Sequence, residues 1–455
     1  MDFSQIRKIY FLGIGGIGMS AIARYFNDHG VEIHGYDLVH TSLTKKLEAE
    51  GMSIHYNIDS KKIPRDIDLV VMTPAIPKDH DELVWLNANK YTVMKRAEVL
   101  GLLSRHQNTV AVAGTHGKTT TSSLITHVLK YCGLDISAFL GGIMVNYNSN
   151  FISGKSDIVV LEADEYDRSF LHLTPNVLIV LSMDADHLDI YGHVEEMYKA
   201  YEQLCLQIKS GGHLIIARQC LSHFNSDFMD LLKQRSVKVS FFGEDFSFGD
   251  IKIKQSRYRF NFQCLDFEKI LNIKSELPGW HNISNTAVAM YVAKTFGLKP
   301  NKIKEAVEDF KGIKRRFEIV YEGNKVLLDD YAHHPEEVKH AVKTVKDLYQ
   351  GKKVMGIFQP HLFSRTQDFY KGFAKELAAL DMIVLLPIYR ARELPIEGVK
   401  TEIIYNLIPN ENKVLVKTNE LINYIKKETE YDVIITIGAA DLDKYHEQII
   451  EIING

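Results

Sequence analysis

Short apolar runs alternate along the chain with longer segments whose apolar residues recur every three or four positions, the pattern of strands feeding helices in a parallel α/β sheet. Residues 6–12 form a strand-like run that enters Gly13-Ile14-Gly15-Gly16-Ile17-Gly18, and a helical pattern covers 19–29. A second strand, 31–36, ends at Asp37, and a third, 67–72, runs into Thr73-Pro74-Ala75-Ile76-Pro77. The cycle restarts at 109–113, which enters Gly114-Thr115-His116-Gly117-Lys118-Thr119-Thr120 ahead of helical spacing at Leu124, Ile125, Val128 and Leu129. Strands at 157–161 and 177–181 lead into Glu162-Ala163-Asp164-Glu165 and Ser182-Met183-Asp184-Ala185-Asp186-His187. Alternation over 251–262 predicts an antiparallel excursion, and Pro278-Gly279-Trp280-His281-Asn282 opens another helix. From Lys314 the strand-to-loop pattern returns, its loops being Asp329-Asp330-Tyr331-Ala332-His333-His334-Pro335, Gln359-Pro360-His361-Leu362-Phe363-Ser364-Arg365 and Gly438-Ala439-Ala440-Asp441. The expected architecture is α/β in three domains: Rossmann-like over 1–106, P-loop ATPase-like over 107–313, and a second Rossmann-like domain over 314–455.

Two of these loops have the composition of phosphate sites. Gly13, Gly15, Gly16 and Gly18 form Gly-x-Gly-x-x-Gly between a strand and a helix, with Asp37 near the spacing at which an acid meets a ribose hydroxyl. Taken alone, this motif indicates NAD and an oxidoreductase. A nucleotide-sugar presents the same diphosphate and sugar hydroxyls, so both ligands stay open, and so does a packing turn without a ligand. In the second loop Gly114 and Gly117 admit phosphate oxygens to the backbone, Lys118 adds a cation, and the Thr119 hydroxyl is a candidate Mg²⁺ ligand. Val112 stands where a full Walker A pattern has glycine, which shortens the loop. A nucleotide-hydrolysing switch or a solvated glycine turn would share these features. The acids after the two following strands, with His187, offer hard oxygens and an imidazole to a metal. Asn282 could read a base edge or cap its helix.

Composition narrows the class. With 455 residues, 45% of them hydrophobic, the chain can bury several cores, and a net charge of −4 supplies no general field for nucleic acid or anionic lipid. The four cysteines form no Cys-x-x-Cys pair, which suits a reducing cytoplasm. No apolar run reaches membrane-spanning length, and the glycines at 13–18 argue against reading the N-terminus as a signal peptide.

Together the motifs 13–20, 114–121, 162–165, 185–189, 315–318, 329–335 and 358–361 resemble the Mur ligases over nearly the whole length. The resemblance implies UDP-N-acetylmuramate and L-alanine as substrates, ATP and Mg²⁺ as cofactors, and an acyl phosphate on the way to the amide. It overrules NAD for the first loop and gives the UDP-sugar to Gly13, Gly15, Gly16, Gly18, Asp37, Thr73 and Ala75. ATP falls to 114–120, Asn282 (adenine), Asp330 (ribose) and Arg316 (phosphates), and the metal to Thr119, Glu162 and His187. Lys118, His333, His334 and Arg365 are the implied catalytic groups, with the two histidines not distinguished in handling the amine. The expected assembly is a monomer or weak homodimer.

Within the family, a branch that recycles whole peptides is the alternative, but an insertion associated with it is absent between Phe170 and Pro175. Leu362 replaces an arginine common in relatives, which shifts carboxylate recognition to Arg365, and Ala440 replaces a glycine. Related ligases carry a carbamylated lysine past the Asp-His motif. Here the corresponding position is Tyr201 or Glu202, and Lys199, two residues away, should point elsewhere on its helix.

Overall fold

A computed structural model describes residues 5–184, 188–391, 393–409, 411–428 and 430–454. The first sheet contains β1 (Lys8–Leu12), β2 (Glu32–Tyr36), β3 (Ser53–His55), β4 (Leu69–Met72) and β5 (Val93–Lys95), in the order β3-β2-β1-β4-β5. All its pairings are parallel. The strand order reverses between β1 and β4, and the loops leaving these two strands therefore open a crevice at the switch point. Those loops are the first glycine motif and the Thr73 turn.

The second sheet contains β6 (Asn108–Ala113), β7 (Ser137–Met144), β8 (Ser149–Ile152), β9 (Ile158–Glu162), β10 (Val177–Val180), β11 (His213–Ala217), β12 (Lys238–Phe242), β13 (Phe246–Lys254), β14 (Arg257–Cys264) and β15 (Ile270–Ser275). Its order is β15-β14-β13-β12-β11-β10-β6-β9-β7-β8. Because β6 lies between β9 and β10, the Lys118 loop is flanked by the acidic ends of both neighbours: Val112 pairs with Glu162 and Ala113 with Val180. The third sheet, β16 (Glu318–Glu322), β17 (Val326–Asp330), β18 (Val354–Phe358), β19 (Met382–Leu385), β20 (Lys413–Leu415) and β21 (Val433–Ile437), has the order β16-β17-β21-β18-β19-β20. It is parallel apart from the β16–β17 hairpin.

Two compact units result. One holds 1–248, 262–271 and 284–309; the other holds 249–261, 272–283 and 310–455. In the first unit the core is continuous from Ile9, Phe11, Ile22 and Phe26 to Phe139, Phe151 and Leu161, so the first two sheets share one apolar interior. Tyr25 lies against Phe139 with ring centres 5.4 Å apart. In the second unit Leu327, Ile357, Val384, Ile434 and Ile449 fill the core. No helix among the described residues is long and apolar enough to cross a membrane.

Two local expectations are corrected, and the antiparallel excursion is resolved into its strands. The first helix is Ile17–Asp28 and not 19–29, because Gly16 is its extended N-cap, and Gly18 therefore stands inside the first turn. The helix after the second loop starts at Lys118, one residue early, with Gly117 at φ +82° as its left-handed N-cap. The alternating stretch is two strands, β13 and β14, joined by Gln255 and Ser256 at φ +53° and +51°.

Candidate functional site

The first loop is set by backbone bonds. Gly13 and Ile14 donate to the Tyr36 carbonyl at 2.8 and 3.1 Å, and Gly15 donates to the Asp37 carboxylate at 2.7 Å. Asp37 also accepts from the Val39 amide, so one oxygen braces the glycine loop and the other holds the turn after β2. A Cβ on Gly15 would lie 2.6 Å from Thr44 Cγ2 and 2.9 Å from Asp37 Oδ2. No side chain caps the helix Ile17–Asp28, and its N-terminal amides are left for an anion. Thr73 sits beside Gly13, its Cγ2 2.6 Å from where a Cβ would stand, and the Ala75 amide points to the Thr73 hydroxyl at 3.5 Å.

The second loop is tighter. Gly114 and Gly117 hold φ of +132° and +82°. A Cβ on Gly117 would come within 2.8 Å of Asn285 Oδ1, which makes Asn285 a wall of the loop. The Thr115 hydroxyl donates to the Asp184 carbonyl, and the His116 amide donates to the Ser182 hydroxyl. Thr120 is buried in the first helical turn. Lys118 Nζ donates to the Gly114 carbonyl and to both Glu165 oxygens, all at 2.8 Å. Burial lowers the ammonium pKa of Lys118, but Glu165, Asp164 and Glu162 outweigh it and the net shift is upward. Burial raises the Glu165 carboxyl, against the pull of Lys118.

Thr119 Oγ1 donates to Glu162 Oε2 at 3.1 Å, and Gly141 N and Ser122 Oγ donate to the other oxygen. Burial drives the Glu162 carboxyl upward. A hydroxyl and a carboxylate in contact fit the few hard oxygen ligands that Mg²⁺ takes from protein at a phosphate site. His187 lies outside the described residues, as do Ala185 and Asp186. Among the described residues there is no metal-holding group of three or more His, Cys, Asp or Glu side chains. Beside the first loop lies a cleft of about 270 Å³, lined by 16–19, Ala21, Thr73, Arg96, Leu100, 139–141, Glu162 and Asp164. The first loop opens on it directly, and the second is linked to it through Glu162, which accepts from Thr119.

In the second unit, Arg315 and Arg316 diverge. Arg315 donates to Asp329 at 3.1 Å and to the Gly438 carbonyl at 2.8 Å, a framework role, whereas the Arg316 guanidinium lies over the Tyr331 ring at 5.3 Å. Asp330 accepts the amides of Phe317 and Ala332, and burial pushes its carboxyl up to about 7 against the pull of Arg316. The two histidines also separate. His334 caps the helix Pro335–Leu348, its Nδ1 facing the Glu336 amide in a capping box completed by Glu337. His333 turns towards His361, ring centres 6.4 Å apart, and its pKa is lowered by burial and by Arg365, with Glu337 opposing. His361 falls to about 4 for the same two causes, burial and Arg365.

Arg365 stands in the first turn of the helix Phe363–Leu377, just after Leu362 at φ +69°. Ala440 is buried, so its methyl group is accommodated inside the loop. Asn282 is buried in the first turn of the helix Trp280–Thr295, with its amide donating to the Pro278 carbonyl at 2.7 Å.

Three residues escaped the sequence reading. Asn285 lies one turn beyond Asn282, and that spacing was a signal for it. Glu165 was visible only as part of an acidic run. Arg96 had no signal at all.

On the helix Val194–Leu206, Tyr201 is fully buried while the Lys199 side chain is 69% exposed and paired with Glu196. Lys199→Ala is therefore expected to stay active, with activity independent of added bicarbonate. Loss of turnover, rescued by short carboxylic acids, would place a carbamate there.

The sequence matches three family profiles: Mur ligase family, catalytic domain over 8–108; Mur ligase middle domain over 112–293; and Mur ligase, glutamate ligase domain over 315–440. It is 42% identical over 463 residues to UDP-N-acetylmuramate–L-alanine ligase of Cytophaga hutchinsonii, covering 99% of this chain and 97% of that one. The ligase of the same name from Porphyromonas gingivalis is 44% identical, over 96% and 97%. The crystal structure of UDP-N-acetylmuramate–alanine ligase from Thermotoga maritima superposes with a TM-score of 0.83 at 27% identity, covering 98% of this chain and 99% of that one.

Proposed function

The chain belongs to the Mur ligase family, and from that premise we propose that it joins L-alanine to the carboxylate of UDP-N-acetylmuramate at the expense of ATP. The observation that carries this reading is near-full-length identity above 40% to ligases of that name, in a chain with two phosphate-type loops, the first lining a cleft that also holds Glu162, the partner of Thr119 in the second. The recycling branch shares the early motifs, so this identity and not the loops separates it, and the NAD reading explains one loop only. Residues 1–106 take the sugar nucleotide, 107–313 take ATP, and 314–455 complete the amino-acid side.

A carboxylate is a poor electrophile, so it is first phosphorylated by ATP, and the amine of alanine then displaces phosphate. Positioning and charge stabilisation carry most of such a transfer. Gly13, Gly15 and Gly16 present backbone to the sugar diphosphate, with Asp37 holding the loop in shape. Gly114 to Gly117 cradle the nucleotide phosphates in a backbone shape that glycine alone holds easily, since φ is positive at both and a Cβ would press on Leu181 or Asn285. Lys118 leaves Glu165 for the β- and γ-phosphates.

Thr119 and Glu162, with His187, would hold Mg²⁺, which would neutralise phosphate charge. Asn282, Arg316 and Asp330 are assigned to ATP. His333, kept neutral by burial, orients the alanine amine or accepts its proton, since His334 is committed to its helix. Free thiols at all four cysteines suit a cytoplasmic enzyme, and a monomer or weak homodimer is the assembly we propose.

Phosphate release measured with UDP-N-acetylmuramate, ATP and each amino acid in turn tests the reading. Turnover should need the sugar nucleotide and be fastest with L-alanine. ATP hydrolysis independent of both would overturn it. Within the same assay, Arg365→Lys should raise the alanine KM about tenfold and leave that of ATP nearly unchanged, because an ammonium cannot hold a carboxylate bidentately. An unchanged alanine KM removes Arg365 from the amino-acid site.

A further inference from the structure

The roles above leave one cation in the cleft unused. Arg96 opens the helix Arg96–His106, and the Lys95 amide bonded to Glu98 at 2.6 Å fixes where that helix begins. The Arg96 side chain lines the cleft together with the first turn of the helix Ile17–Asp28 on one side and Glu162 and Asp164 on the other. A Cβ on Gly18 would stand 2.8 Å from Arg96 Nη1 and 3.2 Å from its Cδ and Cζ. The third glycine of the first motif is thus the space that a guanidinium occupies.

The Arg96 side chain makes no hydrogen bond within the described residues. Its one ion pair, Nη2 to Asp164 Oδ2, is long at 3.5 Å, and the side chain is 24% exposed. A planar fork of N–H donors, held at the mouth of an uncapped helix N-terminus, is matched to an oxyanion that can take two bonds at once. Asp164 is close enough to balance the charge before a ligand arrives but too far to satisfy the fork.

We propose that Arg96 binds an oxyanion of the sugar nucleotide in this cleft, either its diphosphate or the carboxylate on its sugar. The inference rests on the sugar-nucleotide reading of the first loop and adds to it a residue 78 positions beyond the motif. In this arrangement the glycine motif and Arg96 form one anion site built from two helix starts. It places a positive charge between the sugar nucleotide and the Glu162 carboxylate, where two anionic substrates must approach each other.

Calorimetry on the full chain tests this with three ligands: UDP-N-acetylmuramate, UDP-N-acetylglucosamine, which has the diphosphate but not the carboxylate, and ADP. Arg96→Ala should weaken UDP-N-acetylmuramate at least about tenfold and leave ADP within about twofold, with Arg96→Lys recovering only part of the loss. Equal weakening of both UDP-sugars assigns the diphosphate; weakening confined to UDP-N-acetylmuramate assigns the carboxylate. Gly18→Ala keeps a helix-compatible residue and presses on the same guanidinium, so it should reproduce the selective loss even if Arg96→Ala folds poorly. Wild-type affinity for both UDP-sugars in Arg96→Ala, or parallel loss of ADP binding, overturns the proposal. Failure of the unaltered chain to bind UDP-N-acetylmuramate would instead overturn the functional reading beneath it.

Discussion

Lys118→Ala is expected to lower kcat at least about a thousandfold, because the ammonium is the side-chain cation of the nucleotide loop and its loss removes charge stabilisation from phosphoryl transfer. Calorimetry should still show UDP-N-acetylmuramate binding near the wild-type level, since the first loop is built from a different sheet. Lys118 also offsets the buried Glu165 carboxylate, 1% exposed, and the variant should lose stability as well as activity. Burial already raises the Glu165 pKa, and removing Lys118 raises it further.

A group whose folded pKa lies above its unfolded value favours the folded state most at low pH, and that contribution is lost as pH rises through the folded pKa. The stability deficit of Lys118→Ala should therefore shrink as pH falls. Adding Glu165→Gln should recover stability and leave activity absent. If the double variant regained turnover, Lys118 would have no direct part in the reaction. Complete loss of sugar-nucleotide binding in Lys118→Ala would contradict the assignment of the two loops to different substrates.

Asp329→Ala is expected to destabilise the second unit by about 3–5 kcal/mol, the typical consequence of stripping one partner from a buried ion pair. Asp329 is fully buried, accepts from Arg315 at 3.1 Å and from the Thr436 hydroxyl at 2.7 Å, and has His446 Nε2 at 3.8 Å. These partners come from the Arg315 turn, β21 and the last helix, so one carboxylate ties three elements of the unit. Trp280 lies in this unit and Trp85 in the other, which allows fluorescence in a Trp85→Phe background to follow the second unit through urea. A midpoint equal to that of the parent would show that Thr436 and Gly438 hold Arg315 and the strand ends without Asp329. Asp329→Asn, which keeps an acceptor for Thr436, should fall between the two.

The sequence by itself determined the three α/β segments, the strand that feeds each named loop and both glycine motifs. These features are local: apolar periodicity is a property of neighbouring residues, and a glycine at φ +82° or +132° is a demand of the loop on its own backbone. Errors at this level were small and had local causes, such as Gly16 serving as a helix cap. The turn at Gln255 and Ser256 carried no glycine or asparagine to reveal it.

The tertiary structure alone decided which side chains of each motif are free to act. Asp37 and Asp330, both read as ligand contacts, are each found accepting two backbone amides, one from its own loop (Val39, Ala332) and one from another (Gly15, Phe317). Of the paired arginines, Arg315 is bound to Asp329 and Gly438 while Arg316 is not. Of the paired histidines, His334 is a helix cap while His333 faces His361. Adjacent residues with the same chemistry are indistinguishable by type and spacing, because the difference lies in partners brought by other strands: Gly438 reaches Arg315 across 123 positions. Lys118 and Glu165, or Gly18 and Arg96, meet only because parallel strands collect loops from distant parts of the chain at one sheet end. Sequence periodicity therefore locates such an end, whereas the charges that meet there depend on strand order, which is set by packing over the whole core.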